Sequence, residues 1–555
     1  RITGIYSPGT QINYCPSEDT SNLVSIYIET HQDVKTYQDK VSVGLSVIDL
    51  PTGKSIIYES YSEKDDTNKA FDEIYRFIYT HNPKEIIFNI KSCPLENEKL
   101  VTYLEIQNKI YHFINLDQLD KDVFKLSYQR SFLEKVYLHQ KKNMLTIHEF
   151  LDLENKPYGV ISFIFLLQFA YEHNEQVIER LDKPEIWESN KYLILTNDSI
   201  NQLNLVDNTS TGINNKYNSL LGIVSNASTA IGKRYLKEQV LNPINSPKKL
   251  NERYQCTEEL LVKHSVNNDY TYKLVEDKLK KIMDIERLHR RMSLKILQPA
   301  DFSNLDMAYQ NILAIFDISD IFKKDCCMAS ILPSDDLLGM FKKFINEYRD
   351  LFDLDEISKY HLGSITGSFF KKGKIEELDV IQDKINKYRN TLKNIANKLS
   401  YYIEKGSEFV KVEFIEKEGH YLQTTKKRGE SLKKAFSNMA YNIFKVQDGD
   451  STIKINPRDL ELKFLKDRTK ITSDKINTIS YKLRSLQDKL EKLTTEKYLE
   501  KLEYFYLTYN QCLQSVCIFI AKIDFYKSNA KSAIMYGYTK PIIKESNVSY
   551  LNIKE

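Results

Sequence analysis

Two stretches of this chain carry an apolar heptad, and about seventy residues broken by glycine and proline separate them. In the first, Leu378, Ile381, Ile385, Tyr388, Leu392, Ile395, Leu399 and Tyr402 step by alternating threes and fours; in the second, Ile476, Ile479, Leu483, Leu486, Leu490 and Leu493 do the same. That spacing keeps one seam on a single helix face over many turns, and a seam of this length needs a partner. A chain that folds back on itself supplies one. The expected arrangement is two antiparallel arms, each roughly 35 to 40 Å long at about 1.5 Å per residue, with a small domain at their tip. Ser473 is the expected N-cap of the second arm.

Between the arms the period changes to two. Val410, Val412 and Phe414 alternate, as do Ile453 with Ile455 and Leu460 with Leu462 and Phe464, while Gly406, Gly419, Gly429, Gly449 and Pro457 interrupt the runs. The tip is therefore expected to be β-rich. Elsewhere, 555 residues with 41% hydrophobic content suffice for several cores, and scarce glycine with dense charge points to a largely helical body. After a turn at Pro8-Gly9, Val41, Val43, Leu45 and Val47 alternate up to Asp49, Thr52-Gly53 turns the chain, and Ile56 and Ile57 return it. A helix with Ala70, Ile74, Phe77 and Ile78 on one face ends near Pro83, and Ile86 to Ile90 reads as another strand. This is a small α/β domain. From about Ser127 the periods are helical, including Phe132 to His139 and the apolar run around Phe163.

The seven cysteines show no C-x-x-C pairing, so neither a zinc site nor a disulfide framework is expected, and a reduced, intracellular protein fits. The apolar run from Val160 to Phe169 is too short to span a membrane. Arg1 in place of an initiator methionine suggests a piece of a longer protein. The abundance of Lys, Asn, Ile and Tyr suggests an AT-rich genome such as that of a large DNA virus or an organelle.

Net charge is only +3, so affinity for a polyanion has to come from local clusters. The stretch YLQTTKKRGESLKKAF supplies one, with Thr424, Thr425, Lys426, Lys427, Arg428, Lys433 and Lys434 and only Glu430 opposing, and Arg458, Lys463, Lys466, Arg468 and Lys470 follow. Cations displace counterions from phosphates and short hydroxyl donors fix register, which makes the seven residues of that stretch, with Arg468 and Lys470, the candidate contacts to a phosphate-bearing polyanion. A solvated lysine face is the bland alternative; the position at the end of two arms favours a partner. Two further readings stay open. Asp49, Glu59 and Asp72 are carboxylates that a two-metal, RNase H-like nuclease needs, provided they converge. The paired arms alone also suit a coiled-coil scaffold of DNA maintenance. Gly232-Lys233-Arg234 looks like the end of a phosphate-binding loop, but Ala227 stands where its first glycine belongs and Arg234 where a magnesium-binding hydroxyl belongs, so Arg234 and Lys237 are expected to solvate or pin a core helix instead.

Five ordered segments resemble the MutS family of DNA mismatch-repair proteins. SLLGIVSNASTAIGKRYLKEQVLNPINSPKKLNERY, Ser219 to Tyr254, is similar to the family's core signature, with its leucine pair and its Thr-x-x-Gly-x-Arg helix start, and YLILTNDSINQLNLV resembles the entry into that core. DIERLHRRMSLKILQPADFSNL resembles the Asp-x-Glu-Arg helix, KKGKIEELDVI the first lever arm, and IAKIDFYKSNAKSAIMYGYTKPII the helices before the ATPase domain. RITGIYSPGT resembles the end of the mismatch-recognition domain. The resemblance implies a mainly α, multidomain chain: residues 1–20 the end of the mismatch-recognition domain and a linker, 21–125 an RNase H-like α/β connector, and 126–372 a helical core. It further implies a first lever helix at 373–404, a β-rich clamp at 405–471, a second lever helix and core return at 472–540, and a linker to the ATPase at 541–555. The family's Phe-x-Glu mismatch wedge would lie before Arg1 and its ATPase beyond Glu555. On this reading the chain has no catalytic residue, metal or cofactor of its own, whereas the whole protein uses ATP and magnesium as a DNA-dependent ATPase. Its partner is double-stranded DNA containing mismatches, with a homodimer or heterodimer in full length, mostly a monomer for this chain, and no membrane.

Overall fold

The computed structural model describes residues 20–32, 39–115, 120–137, 145–188, 191–193, 195, 197–206, 216–263, 269–318, 322, 326–404, 408–415, 419–437, 443–448, 451–544, 548 and 550–554. The expected turn at Pro8-Gly9, with the rest of RITGIYSPGT, lies outside them, as do His139, Gly406 and Gly449. The chain divides into two compact units, one of Arg1–Leu297, Asn304–Ile345 and Leu502–Glu555, the other of Gln298–Ser303 and Asn346–Lys501. Among the described residues no helix is long and apolar enough to cross a membrane.

The first unit holds a six-stranded sheet of β1 (Asn22–Gln32), β2 (Asp39–Asp49), β3 (Lys54–Tyr61), β4 (Glu85–Ile90), β5 (Ile110–Asn115) and β6 (Glu185–Ile186), in the order β5-β4-β1-β2-β3-β6. β1, β2 and β3 form an antiparallel meander, and β4 joins β1 and β5 joins β4 in parallel. The Thr52-Gly53 turn is tied by the Thr52 hydroxyl, which donates to the Asp49 carboxylate at 2.8 Å. Helix α1 (Lys69–His81) buries Ala70, Phe71, Ile74, Phe77 and Ile78 against Val24, Ile26, Val43 and Leu45, while α2 (Pro157–His173) covers the other face at Leu23, Tyr27, Ile48 and Ile57. With helices on both faces, successive residues of β1 are buried rather than alternately exposed. The helical remainder includes α3 (Ala230–Leu241) and α4 (Ile285–Ser293).

The second unit contains α5 (Glu376–Ile403), β7 (Lys411–Ile415), β8 (Gly419–Thr425), α6 (Lys426–Ser437), β9 (Phe444–Asp448), β10 (Ser451–Ile455), β11 (Glu461–Phe464), β12 (Arg468–Thr472) and the start of α7 (Asp474–Tyr536). The heptad seam is buried as its period requires. Leu378, Ile381, Ile385, Leu392, Ile395 and Leu399 are covered on α5, as are Ile476, Ile479, Leu483 and Leu490 on α7. Leu392, Ile395 and Leu399 share one apolar cluster with Ile476, Ile479 and Leu483, and the Lys482 ammonium lies 6.0 Å from the Tyr388 ring. The Ser473 hydroxyl accepts from the Ile476 N–H at 3.2 Å, so the cap of α7 forms as expected.

Two elements differ from the sequence expectation. The second arm and its return are a single 63-residue helix, ~95 Å along its axis, because no glycine or proline interrupts Asp474–Tyr536. It ends at Gly537, whose φ of 68° lets the Tyr538 N–H reach back to the Ala533 carbonyl at 3.0 Å. Secondly, the basic stretch after β8 is helical. Leu432 and Phe436 sit four apart on its inner side, and Gly429 lies against Thr469, an approach so close that a β-carbon there would meet the Thr469 hydroxyl at 2.2 Å.

The loop-like GKR segment belongs to the framework of the first unit. Thr229 caps α3, its hydroxyl accepting from the Gly232 N–H at 2.9 Å. The buried Asp524 carboxylate of α7 takes the Thr229 N–H at 2.7 Å and the Thr229 hydroxyl at 2.7 Å, filling the helix end where a nucleotide phosphate would have to sit. A β-carbon at Gly232 would stand 2.2 Å from Asp524 Oδ2, so the glycine serves this close approach. Arg234 is clamped by Asp284 at 2.7 and 2.8 Å and by Glu286 at 2.7 Å.

Candidate nucleic-acid interface

The tip domain is built on a four-stranded sheet in the order β11-β12-β8-β7. Alternation assigns its two faces. Leu462, Ile471 and Leu422 stand in one row of the register and join the apolar cluster that also contains the arms. The next row, on the opposite face, runs Lys463, Lys470, Gln423, Lys411. Arg468 pairs with Thr425 in the same register, and α6 begins at the following residue. With 3.6 residues per turn, Gly429, Leu432 and Phe436 point inward, and Lys426, Lys427, Lys433 and Lys434 fall within one outward stripe that also holds Glu430.

The nine candidate residues therefore divide. Lys426, Lys427, Lys433 and Lys434 are exposed on α6, and Thr425 is exposed at the end of β8. Arg428 stacks on Phe409 with its guanidinium 3.8 Å from the ring centroid. Arg468 donates to Gln423 Oε1 at 3.2 Å, and the Lys470 ammonium lies 4.5 Å from the Tyr421 ring, so these two belong to the sheet face. Thr424 requires correction. It is buried and its hydroxyl donates to the Phe409 carbonyl at 2.9 Å, which leaves it no donor to offer a phosphate. Lys411 and Lys463 join the same sheet row, a grouping that only strand register reveals.

Like charges crowd at two points. Lys426, Lys427 and Arg428 occupy the first turn of α6, which contains no acidic residue, although the helix dipole favours anions there. Lys463 stands directly opposite Lys470 across the β11–β12 ladder. Each such juxtaposition is unfavourable by about 0.3 to 1 kcal/mol in the free protein, and an anion at the surface relieves it.

The carboxylates that a nuclease would need are engaged elsewhere. Asp49 accepts from the Ser21 N–H at 2.9 Å and from Thr52, Glu59 receives the Tyr158 and Gly159 N–H groups at 2.7 and 2.9 Å, and Asp72 takes the Tyr103 hydroxyl. Among the described residues, no three His, Cys, Asp or Glu side chains are gathered to hold a metal.

The helices, the six-stranded sheet of the first unit and the basic four-stranded sheet of the second make a mainly helical protein with some β-sheet. Residues 198–530 match MutS domain III. The chain belongs to the MutS family. It is 31% identical, over its whole length and 51% of the relative's, to a putative DNA mismatch repair protein, mutS homolog, of Acanthamoeba polyphaga mimivirus. It is 24% identical over 98% of its length to the DNA mismatch repair protein MutS of Caldanaerobacter subterraneus, covering 54% of that protein. The mitochondrial DNA mismatch repair protein mutS homolog of Sarcophyton glaucum shows 23% identity over 98% of this chain and 53% of its own. Viral, bacterial and mitochondrial proteins are thus all among its relatives, and the chain spans about half the length of each of these three.

Proposed function

We propose that this chain is the duplex-gripping and signal-transmitting portion of a MutS-type mismatch-repair protein. The β1–β6 domain serves as an RNase H-like connector, a role its meander followed by parallel strands supports, and the helices of the first unit serve as core. Helices α5 and α7 act as levers, and the β7–β12 domain with α6 acts as the clamp. ATP and magnesium belong to an ATPase domain outside this chain, to which the levers couple DNA binding, and the whole protein works as a dimer on mismatched duplex DNA. The observation that carries the reading is the crowding of Lys426, Lys427 and Arg428 at the wrong end of the α6 dipole, within a tip that also aligns Lys411, Lys463 and Lys470.

Phosphate contacts position a protein and carry no sequence information. The chain should therefore bind a G·T mispair and its matched duplex equally, with a dissociation constant of about micromolar or weaker at physiological salt. Titration of both duplexes decides this. Equal affinities support the assignment of these residues to the backbone, and a reproducible preference of about tenfold for the mispair, some 1.4 kcal/mol, would move discrimination into the described domains.

A further inference from the structure

The tip has a feature that binding to a duplex backbone leaves unused. A groove of about 480 Å³ lies between α6 and β11, with Phe436, Leu460, Leu462 and Phe464 as its floor and Lys433 and Arg458 at its rim. β11 is an outer strand of its sheet, and Phe436, Leu462 and Phe464 are only half-buried. Three large apolar side chains thus stay partly open to solvent beside the basic residues of the tip. The Lys433 ammonium lies 5.9 Å from the Phe464 ring centroid, so a cation and an aromatic face share one site.

We propose that this groove holds an unpaired nucleobase of single-stranded DNA, with Phe464 as the stacking platform and Lys433 at the adjoining phosphate. The proposal rests on reading the tip as a DNA interface and extends that reading from duplex backbone to unpaired strand. A nucleotide offers a planar face of low polarity beside an anion, and the groove offers a ring beside a cation. In a duplex the base faces are stacked on one another and cannot reach Phe464, whereas in a single strand they are free, which is why aromatic rings within cationic grooves serve single strands. The volume lies within the range of sites that enclose small ligands, leaving room for one base and its sugar. The groove adjoins the exposed stripe of α6 through Lys433, and Lys434 follows on the same helix. An acidic peptide would satisfy the cations without the stacking geometry.

The test uses fluorescence anisotropy on the 555-residue chain with a fluorescein-labelled oligothymidylate and a blunt matched duplex. Phe464→Leu keeps apolar volume but cannot stack, and Phe464→Trp can. The proposal expects Phe464→Leu to bind the oligothymidylate roughly tenfold more weakly with duplex affinity unchanged, and Phe464→Trp to bind both as the unsubstituted chain does. Equal oligothymidylate affinity for Phe464→Leu overturns it. If Phe464→Leu melts early, an abasic oligonucleotide of the same length decides on the unsubstituted chain: tighter binding of the oligothymidylate supports stacking, and equal binding removes it. Displacement of the oligothymidylate by a glutamate-rich peptide of equal charge, as effectively as by unlabelled oligothymidylate, makes the groove a peptide surface and overturns the proposal. Absence of duplex binding by the unsubstituted chain would overturn the clamp reading itself, while duplex binding with no effect at Phe464 removes this inference alone.

Discussion

At the scale of single residues, the framework rests on buried charges whose partners lie far apart in sequence. Burial would raise the Glu286 carboxyl, but Lys54 at 2.5 Å and Arg234 at 2.7 Å hold it down at about 2. A carboxyl depressed in the folded state is protonated first in the unfolded chain. Its stabilisation is therefore complete above about pH 4.5 and is lost as the pH falls towards about 2. Glu286→Gln should cost about 3 kcal/mol near neutral pH, because it leaves Arg234 and Lys54 without this partner, and should remove part of the stability loss between those values. Urea unfolding near pH 7 and at about pH 3 reads both effects. An unchanged pH dependence would count against the Glu286 assignment. Gly232→Ala should destabilise by about 1 to 3 kcal/mol in the same assay, since the added carbon meets Asp524 at 2.2 Å; a neutral result would mean the helices can part without penalty. The mismatches around Gly232-Lys233-Arg234 argue against a phosphate loop from sequence alone, and Arg234 as the pin of a core helix is legible there too. Asp524 as the carboxylate occupying that helix end is not, because nearly three hundred residues separate it from Thr229.

At the scale of elements, periodicity is the strongest signal and register the weakest. The alternating threes and fours identify the buried seam from Leu378 to Leu399 and from Ile476 to Leu490, since a helix can satisfy that spacing only by hiding one face. Leu486 and Leu493 share the period but are only partly covered. Helix α6 escapes a sequence reading because Gly429 and the surrounding lysines look like a break between strands, although Leu432 and Phe436 carry a helical spacing. Thr424 is misassigned for a related reason: alternation turns Thr425 outward and Thr424 inward, and the pairing with β12 fixes which is which. Ile385 and Leu483 are buried in the seam, so Ile385→Lys with Leu483→Lys should separate the arms at a cost of roughly 3 kcal/mol or more. Hydrogen exchange should then quicken across residues 408–472, whose core is shared with the arms. Unchanged protection there would show that the tip folds without the seam.

At the scale of the whole molecule, a chain of net charge +3 has no general attraction for a polyanion, so the proposed grip has to be local. Both charge crowdings fall in the tip domain, one on α6 and one on the β11–β12 ladder, and in the proposed reading an anionic partner offsets their mutual repulsion. In the proposed reading the exposed lysines of α6 hold the backbone of duplex DNA, and the salt dependence of duplex binding tests that hold most directly. In a plot of log affinity against log salt, replacing Lys426, Lys427, Lys433 and Lys434 together by alanine should weaken matched and mispaired duplexes alike. The slope should also become shallower, by roughly 0.9 for each phosphate that is no longer neutralised. A slope identical to that of the unsubstituted chain would place the grip elsewhere and contradict the account.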